Sequence, residues 1–152
     1  MLQLQLKSEH DDAIRGHAQR AYPHECCGFL LGRDDDQARR IVRVVEAQND
    51  RGDSQLHNRF TITPEAFMRV DKAARAEKLD VLGFYHSHPN APARPSTYDL
   101  EYAWPVYSYI IVAVADGKSA KMTCWLLRDD RGRFDEQPIT CARETGSTKE
   151  IH

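Results

Sequence analysis

Hydrophobic residues along this chain change period from segment to segment, and each change marks an element. Leu2, Leu4 and Leu6 alternate with Gln3, Gln5 and Lys7, the pattern of a half-buried strand. Ser8 stands at a helix-cap position, and Ile14, Ala18 and Ala21 then recur at helical spacing until Pro23. Residues 26–31 form a short apolar strand. Asp34, Asp35 and Asp36 follow; a cation site is one reading of them, but a solvated hairpin turn fits these residue types better. The β-branched stretch at 40–47 supplies the return strand.

Residues 48–59 are polar and make the longest loop, of a length that is commonly functional. A short strand at 60–62 leads to Thr63 as cap and Pro64 in the first turn of a helix reaching about Lys78. Phe67, Val70 and Ala74 form its inner stripe. The apolar runs at 81–85 and 109–115 read as strands buried on both faces. Asp116-Gly117 signals a tight turn, and strands at 119–128 and 133–139 flank Asp130-Arg131-Gly132. The pattern predicts one domain over 1–144 and a loose polar tail over 145–152.

Composition narrows the class. A chain of 152 residues with 41% hydrophobic and 29% charged content can bury a sizeable core. Its net charge of −2 gives bulk electrostatics no hold on nucleic acid or an anionic membrane. No apolar run approaches the ~20 residues that span a bilayer, and the alternating N-terminus is unlike a signal peptide. A cytoplasmic protein is expected. Cys26, Cys27, Cys124 and Cys141 lack C-x-x-C spacing, so buried thiols are expected rather than a thiolate zinc site.

The chemistry gathers at Gly83-Phe84-Tyr85-His86-Ser87-His88-Pro89. Strand side chains alternate, so His86 and His88 leave the end of a buried strand on one face. Pro89 ends the ladder, and a proline-rich loop leads to Ser96, the expected cap of a helix reaching about Trp104. Asp99 then falls in its first turn. A lone His-x-His is often a surface pair, and a lone Ser-x-x-Asp is often only a cap. Joined at this spacing, the two imidazoles and one carboxylate can hold zinc and leave its fourth position to water, the pattern of a catalytic site.

His86-x-His88-Pro89-x6-Ser96-x-x-Asp99, with Glu25 upstream, resembles the JAMM (MPN-plus, JAB-domain) zinc metallopeptidases. The stretches Arg59 to Glu65 and Tyr107 to Val112 are similar to the small stand-alone bacterial members. The resemblance implies an α/β fold: a curved, mixed, mainly antiparallel sheet flanked by helices. It implies zinc on His86, His88 and Asp99, Glu25 as the general acid-base, and Ser96 as a donor to the oxyanion. It also implies that residues 48–59 help hold the substrate's extended tail. The expected reaction is hydrolysis of the amide after the C-terminal Gly-Gly of a ubiquitin-like sulfur carrier protein. The alternatives are hydrolysis of a small peptide or metabolite amide, or a scaffold without metal, which the full ligand set counts against. His24 and His57 read as surface residues.

Overall fold

The computed structural model describes residues 3–48, 62–142 and 148–150. Strand β1 (Gln3–Lys7) runs directly into helix α1 (Ser8–Ala21). The hairpin β2 (Cys27–Asp34) and β3 (Ala38–Ala47) follows, and then helix α2 (Pro64–Ala76). Strand β4 (Asp80–Pro89) precedes the short helix α3 (Thr97–Tyr102) and β5 (Ser108–Ala115). The chain closes with β6 (Lys118–Leu127), β7 (Phe134–Gln137), β8 (Ile139–Ala142) and β9 (Thr148–Glu150). These strands form a sheet of order β7-β6-β5-β4-β2-β3-β1-β8-β9. The pairs β1/β3, β1/β8 and β4/β5 are parallel, and the others are antiparallel. The fold is the α/β architecture that the resemblance implied.

The sheet must curl. Strands β7 and β8 lie near opposite ends of the strand order, yet Pro138 alone separates them. Its carbonyl accepts a hydrogen bond from Leu4 N–H at 2.8 Å, which begins the β8 pairing with β1. The sheet is therefore strongly curved and nearly barrel-like, with β7 and β9 as its edge strands.

Each face of the sheet carries its own core. Ile14 and Ala18 of α1 join Leu4, Leu30, Leu82 and Ile110 in one cluster. Ala74 of α2, with the partly buried Phe67 and Val70, joins Phe29, Phe84 and Tyr109 in the other. Thr63 caps α2 as expected, its hydroxyl accepting Ala66 N–H at 3.1 Å, with Pro64 next. The Asp34–Asp36 segment is a turn: Asp35 Oδ1 accepts from Gln37 N–H at 2.7 Å and Ala38 N–H at 2.9 Å. Asp116 (φ 52°) and Gly117 (φ 82°) both take positive φ, the geometry of a two-residue hairpin turn.

Several expectations are corrected. Ser8 does not cap α1; it is the first helical residue, and Lys7 occupies the cap position. There Lys7 N–H donates to His10 Nδ1 at 3.1 Å, so the ring proton sits on Nε2 and goes to Val42 O at 3.1 Å. The single strand expected at 133–139 is two strands, because Pro138 has no N–H for the β6 ladder. The tail expected to be loose supplies β9, paired antiparallel with β8. Helix α2 ends at Ala76, and α3 ends at Tyr102 rather than near Trp104. The loop at 48–59 and the strand at 60–62 lie outside the described residues, apart from Gln48 and Ile62. Among the described residues no helix is long and apolar enough to cross a membrane.

Candidate metal centre

Strand β4 sits between β2 and β5, and residues 81–88 are buried. Alternation divides its end cleanly. Tyr85 packs into the α1-side cluster, and the Ser87 hydroxyl accepts Cys26 N–H at 2.9 Å. Phe84 packs into the α2-side cluster, so His86 and His88 point to that same face. They are 1% and 7% exposed.

The loop after β4 delivers the carboxylate. Ser96 caps α3 reciprocally: its hydroxyl accepts Asp99 N–H at 3.1 Å, and Asp99 Oδ2 accepts Ser96 N–H at 2.8 Å. This box aims the Asp99 side chain at the histidines. His86 Nε2 and His88 Nε2 are 3.1 Å apart. Asp99 Oδ1 lies 3.3 Å from His86 Nε2, and Oδ2 lies 3.2 Å from His88 Nε2. His88 Nδ1 is 2.8 Å from Pro92 O. A carbonyl can only accept, so that nitrogen carries the proton and Nε2 presents a lone pair.

The donor set fits a metal. Electron pairs from two imidazoles and a carboxylate converge, and a cation relieves their repulsion. Four-coordinate zinc with ligands at about 2.0–2.1 Å places neighbouring donor atoms about 3.3 Å apart. The observed separations of 3.1–3.3 Å match that edge. Burial pushes the His86 pKa below its ordinary value, although Asp99 pulls it upward. Burial alone would raise the Asp99 pKa, but His86, His88 and Ser96 N–H together hold it well below the usual carboxylate range. Neutral imidazole and ionised carboxylate are the forms that ligate.

A family model of prokaryotic homologs of the JAB domain matches residues 7–128. The chain belongs to this family. It is 32% identical over 120 residues to a desampylase of Haloferax volcanii, covering 76% of this chain and 83% of the relative. It is 37% identical over 101 residues to a probable TtuB-protein conjugate cleaving protease of Thermus thermophilus, covering 66% and 63%. A CysO-cysteine peptidase of Mycobacterium tuberculosis is 24% identical over 144 residues, covering 93% and 92%. A solution structure of a Desulfitobacterium hafniense protein superposes with a TM-score of 0.81 at 31% identity, covering 93% and 94%. The chain is a JAB-family hydrolase.

In this JAB-family hydrolase Glu25 is buried, an unusual state for a carboxylate. Cys26 packs into the α1-side cluster and Cys27 pairs in register with His86. Cys27 therefore shares the histidine face, and Glu25 stands two residues before it, ahead of β2. Burial pushes the Cys26 thiol up to about 11, so it is a packed thiol rather than a nucleophile. His24 is exposed, and His57 lies outside the described residues.

The sequence reading missed what adjoins the centre. A cleft of about 580 Å³ has His86 and Asp99 in its wall, with Phe67, Tyr98, Tyr102 and Trp104 around it. Tyr98 and Tyr102, one helical turn apart on α3, pack with ring centroids 4.4 Å apart and planes tilted by 33°. Their i, i+4 spacing beside Asp99 was the available signal.

Proposed function

We propose that this JAB-family hydrolase is a zinc-dependent peptidase or isopeptidase. Its bond is the amide after the C-terminal Gly-Gly of a ubiquitin-like sulfur carrier protein, in the cytoplasm. The observation that carries the reading is the convergence of His86, His88 and Asp99 beside a cleft whose wall includes His86 and Asp99. The relatives named for conjugate cleavage and for CysO-cysteine peptidase activity support the substrate class.

His86, His88 and Asp99 would hold the zinc. When bound, zinc supplies Lewis-acid polarisation and water that is nucleophilic near neutral pH. Glu25 takes a proton from the attacking water on its carboxylate and delivers it to the leaving nitrogen. The Ser96 hydroxyl accepts Asp99 N–H, which leaves its own proton to donate to the developing oxyanion. Asp99 and His88 are oriented by Ser96 N–H and Pro92 O.

Glycines at the substrate terminus suit such a site. They lack side chains, so an extended tail can pass a narrow groove and pair along its backbone. Residues 48–59 are proposed as a wall of that groove. Mass spectrometry of a carrier bearing an adduct or extension after Gly-Gly, incubated with zinc-loaded protein, tests the reading. Cleavage after Gly-Gly is expected, with little when the final glycine is valine. Equal cleavage of the valine form contradicts the narrow groove. Cleavage of a small amide with no carrier cut contradicts the substrate class.

A further inference from the structure

Helix α3 carries Asp99, yet little of its own surface holds it. It has six residues, fewer than a helix needs to persist alone, and none of its side chains is fully buried. Leu100 packs partly buried against the α2-side cluster, while Tyr102 and the following Trp104 are exposed. The Ser96–Asp99 box closes the N-terminal end. The C-terminal end is closed from another part of the chain.

The last turn of α3 contains no basic residue. A cation reaches it across the fold instead: Arg131 Nη1 donates to Ala103 O at 2.9 Å and Nη2 to Glu101 O at 3.3 Å. Arg131 lies in the turn between β6 and β7 with φ 59°. Arg131 N–H donates to Arg128 O at 2.8 Å, Arg128 N–H to Arg133 O at 3.0 Å, and Gly132 N–H to Asp130 Oδ1 at 2.8 Å. The turn is thus fixed before the side chain leaves it. A second tie comes from β5, where Tyr109 Oη accepts Trp104 N–H at 2.9 Å. Ala103 N–H donates to Asp99 O at 2.9 Å, so the clamped end is one helical turn from Asp99.

We propose that Arg131 is a positioning residue for the metal centre: its guanidinium grips Ala103 O and Glu101 O and holds α3 so that Asp99 stands over His86 and His88 before metal arrives. The proposal rests on the zinc reading above. Helix C-terminal carbonyls favour a cation, and the planar fork of arginine can serve two of them at once. Without the clamp, ordering α3 becomes a cost of binding zinc.

Two measurements on the full chain test this. Hydrogen exchange in metal-free protein reads the amides of Leu100 and Ala103, which donate to Ser96 O and Asp99 O. Competition with a chromophoric chelator reads zinc affinity. Arg131→Ala is expected to speed that exchange about tenfold and to weaken zinc about tenfold, the low end for outer-shell partners of a metal site. Arg131→Lys, keeping charge and one donor, should recover part of both. Arg128→Ala is the control: its guanidinium lies in the same hairpin, bonded to Asp135 at 2.9 Å, and it should leave both readings near wild type. Unchanged zinc affinity in Arg131→Ala overturns the proposal, as does an equal loss in Arg128→Ala. A wild-type protein that takes up no zinc overturns the zinc reading itself.

Discussion

At position 25 a carboxylate is 8% exposed, two residues before the strand that pairs with the histidine strand. Replacing it by glutamine keeps its shape and removes its ability to carry a proton. Glu25→Gln is expected to fold, to retain zinc, and to lose turnover by about 10²–10⁴-fold. Near-normal turnover at full zinc occupancy would remove Glu25 from the mechanism. His86, His88 and Asp99 were legible in the sequence because their placement is local: a strand period of two and a cap followed by its first turn. Glu25 was not legible by itself, since any route from it to the histidines runs through the pairing of β2 with β4, some sixty residues apart. The Pro92 carbonyl that fixes the His88 tautomer left no side-chain signal at all.

The elements show where backbone packing decides. Gly83 on β4 faces Ser108 on β5, and a Cβ there would lie 1.9 Å from Ser108 O. Backbone cannot yield as a flexible side chain can. Gly83→Ala should cost about 3 kcal/mol, the upper end for overpacking, read as a lower urea midpoint at unchanged slope. An unchanged midpoint would contradict this packing. The start of α1 makes a pH prediction. Burial pushes the His10 pKa below its ordinary 6.5, against the bond to Val42 O and the pull of Glu9. A group whose folded pKa is depressed gives stability that is full above its unfolded pKa and is lost as pH falls through the folded value. The melting temperature of metal-free protein should therefore drop below pH 6.5, and less steeply in His10→Gln. Equal pH dependence in the two proteins would exclude His10 as a source. The half-buried His17, whose pKa burial also lowers, acts in the same direction in both proteins. The sequence suggested Ser8 as the cap because serine is the usual choice; β1 running straight into α1 moved the cap to Lys7.

The whole molecule is one curved sheet in which a single residue, Pro138, links strands from opposite ends of the order. Period and β-branching found most of the strands, and the hairpin turns named their antiparallel partners. They could not find this link. Residues 133–139 look continuous in pattern, but Pro138 breaks the ladder and sends the chain from β6's edge to β1. The contact from Arg131 to α3 was likewise invisible, since it joins segments only through the folded turn. That curved sheet holds β4 between β2 and β5, so His86 and His88 sit on an interior strand, and α3 brings Asp99 to them. Everything proposed for the site depends on zinc being held by these three side chains. Elemental analysis of purified wild type and His88→Ala tests it most directly. Near one zinc per chain in wild type and much less in His88→Ala is the expected result; equal zinc in both would contradict it.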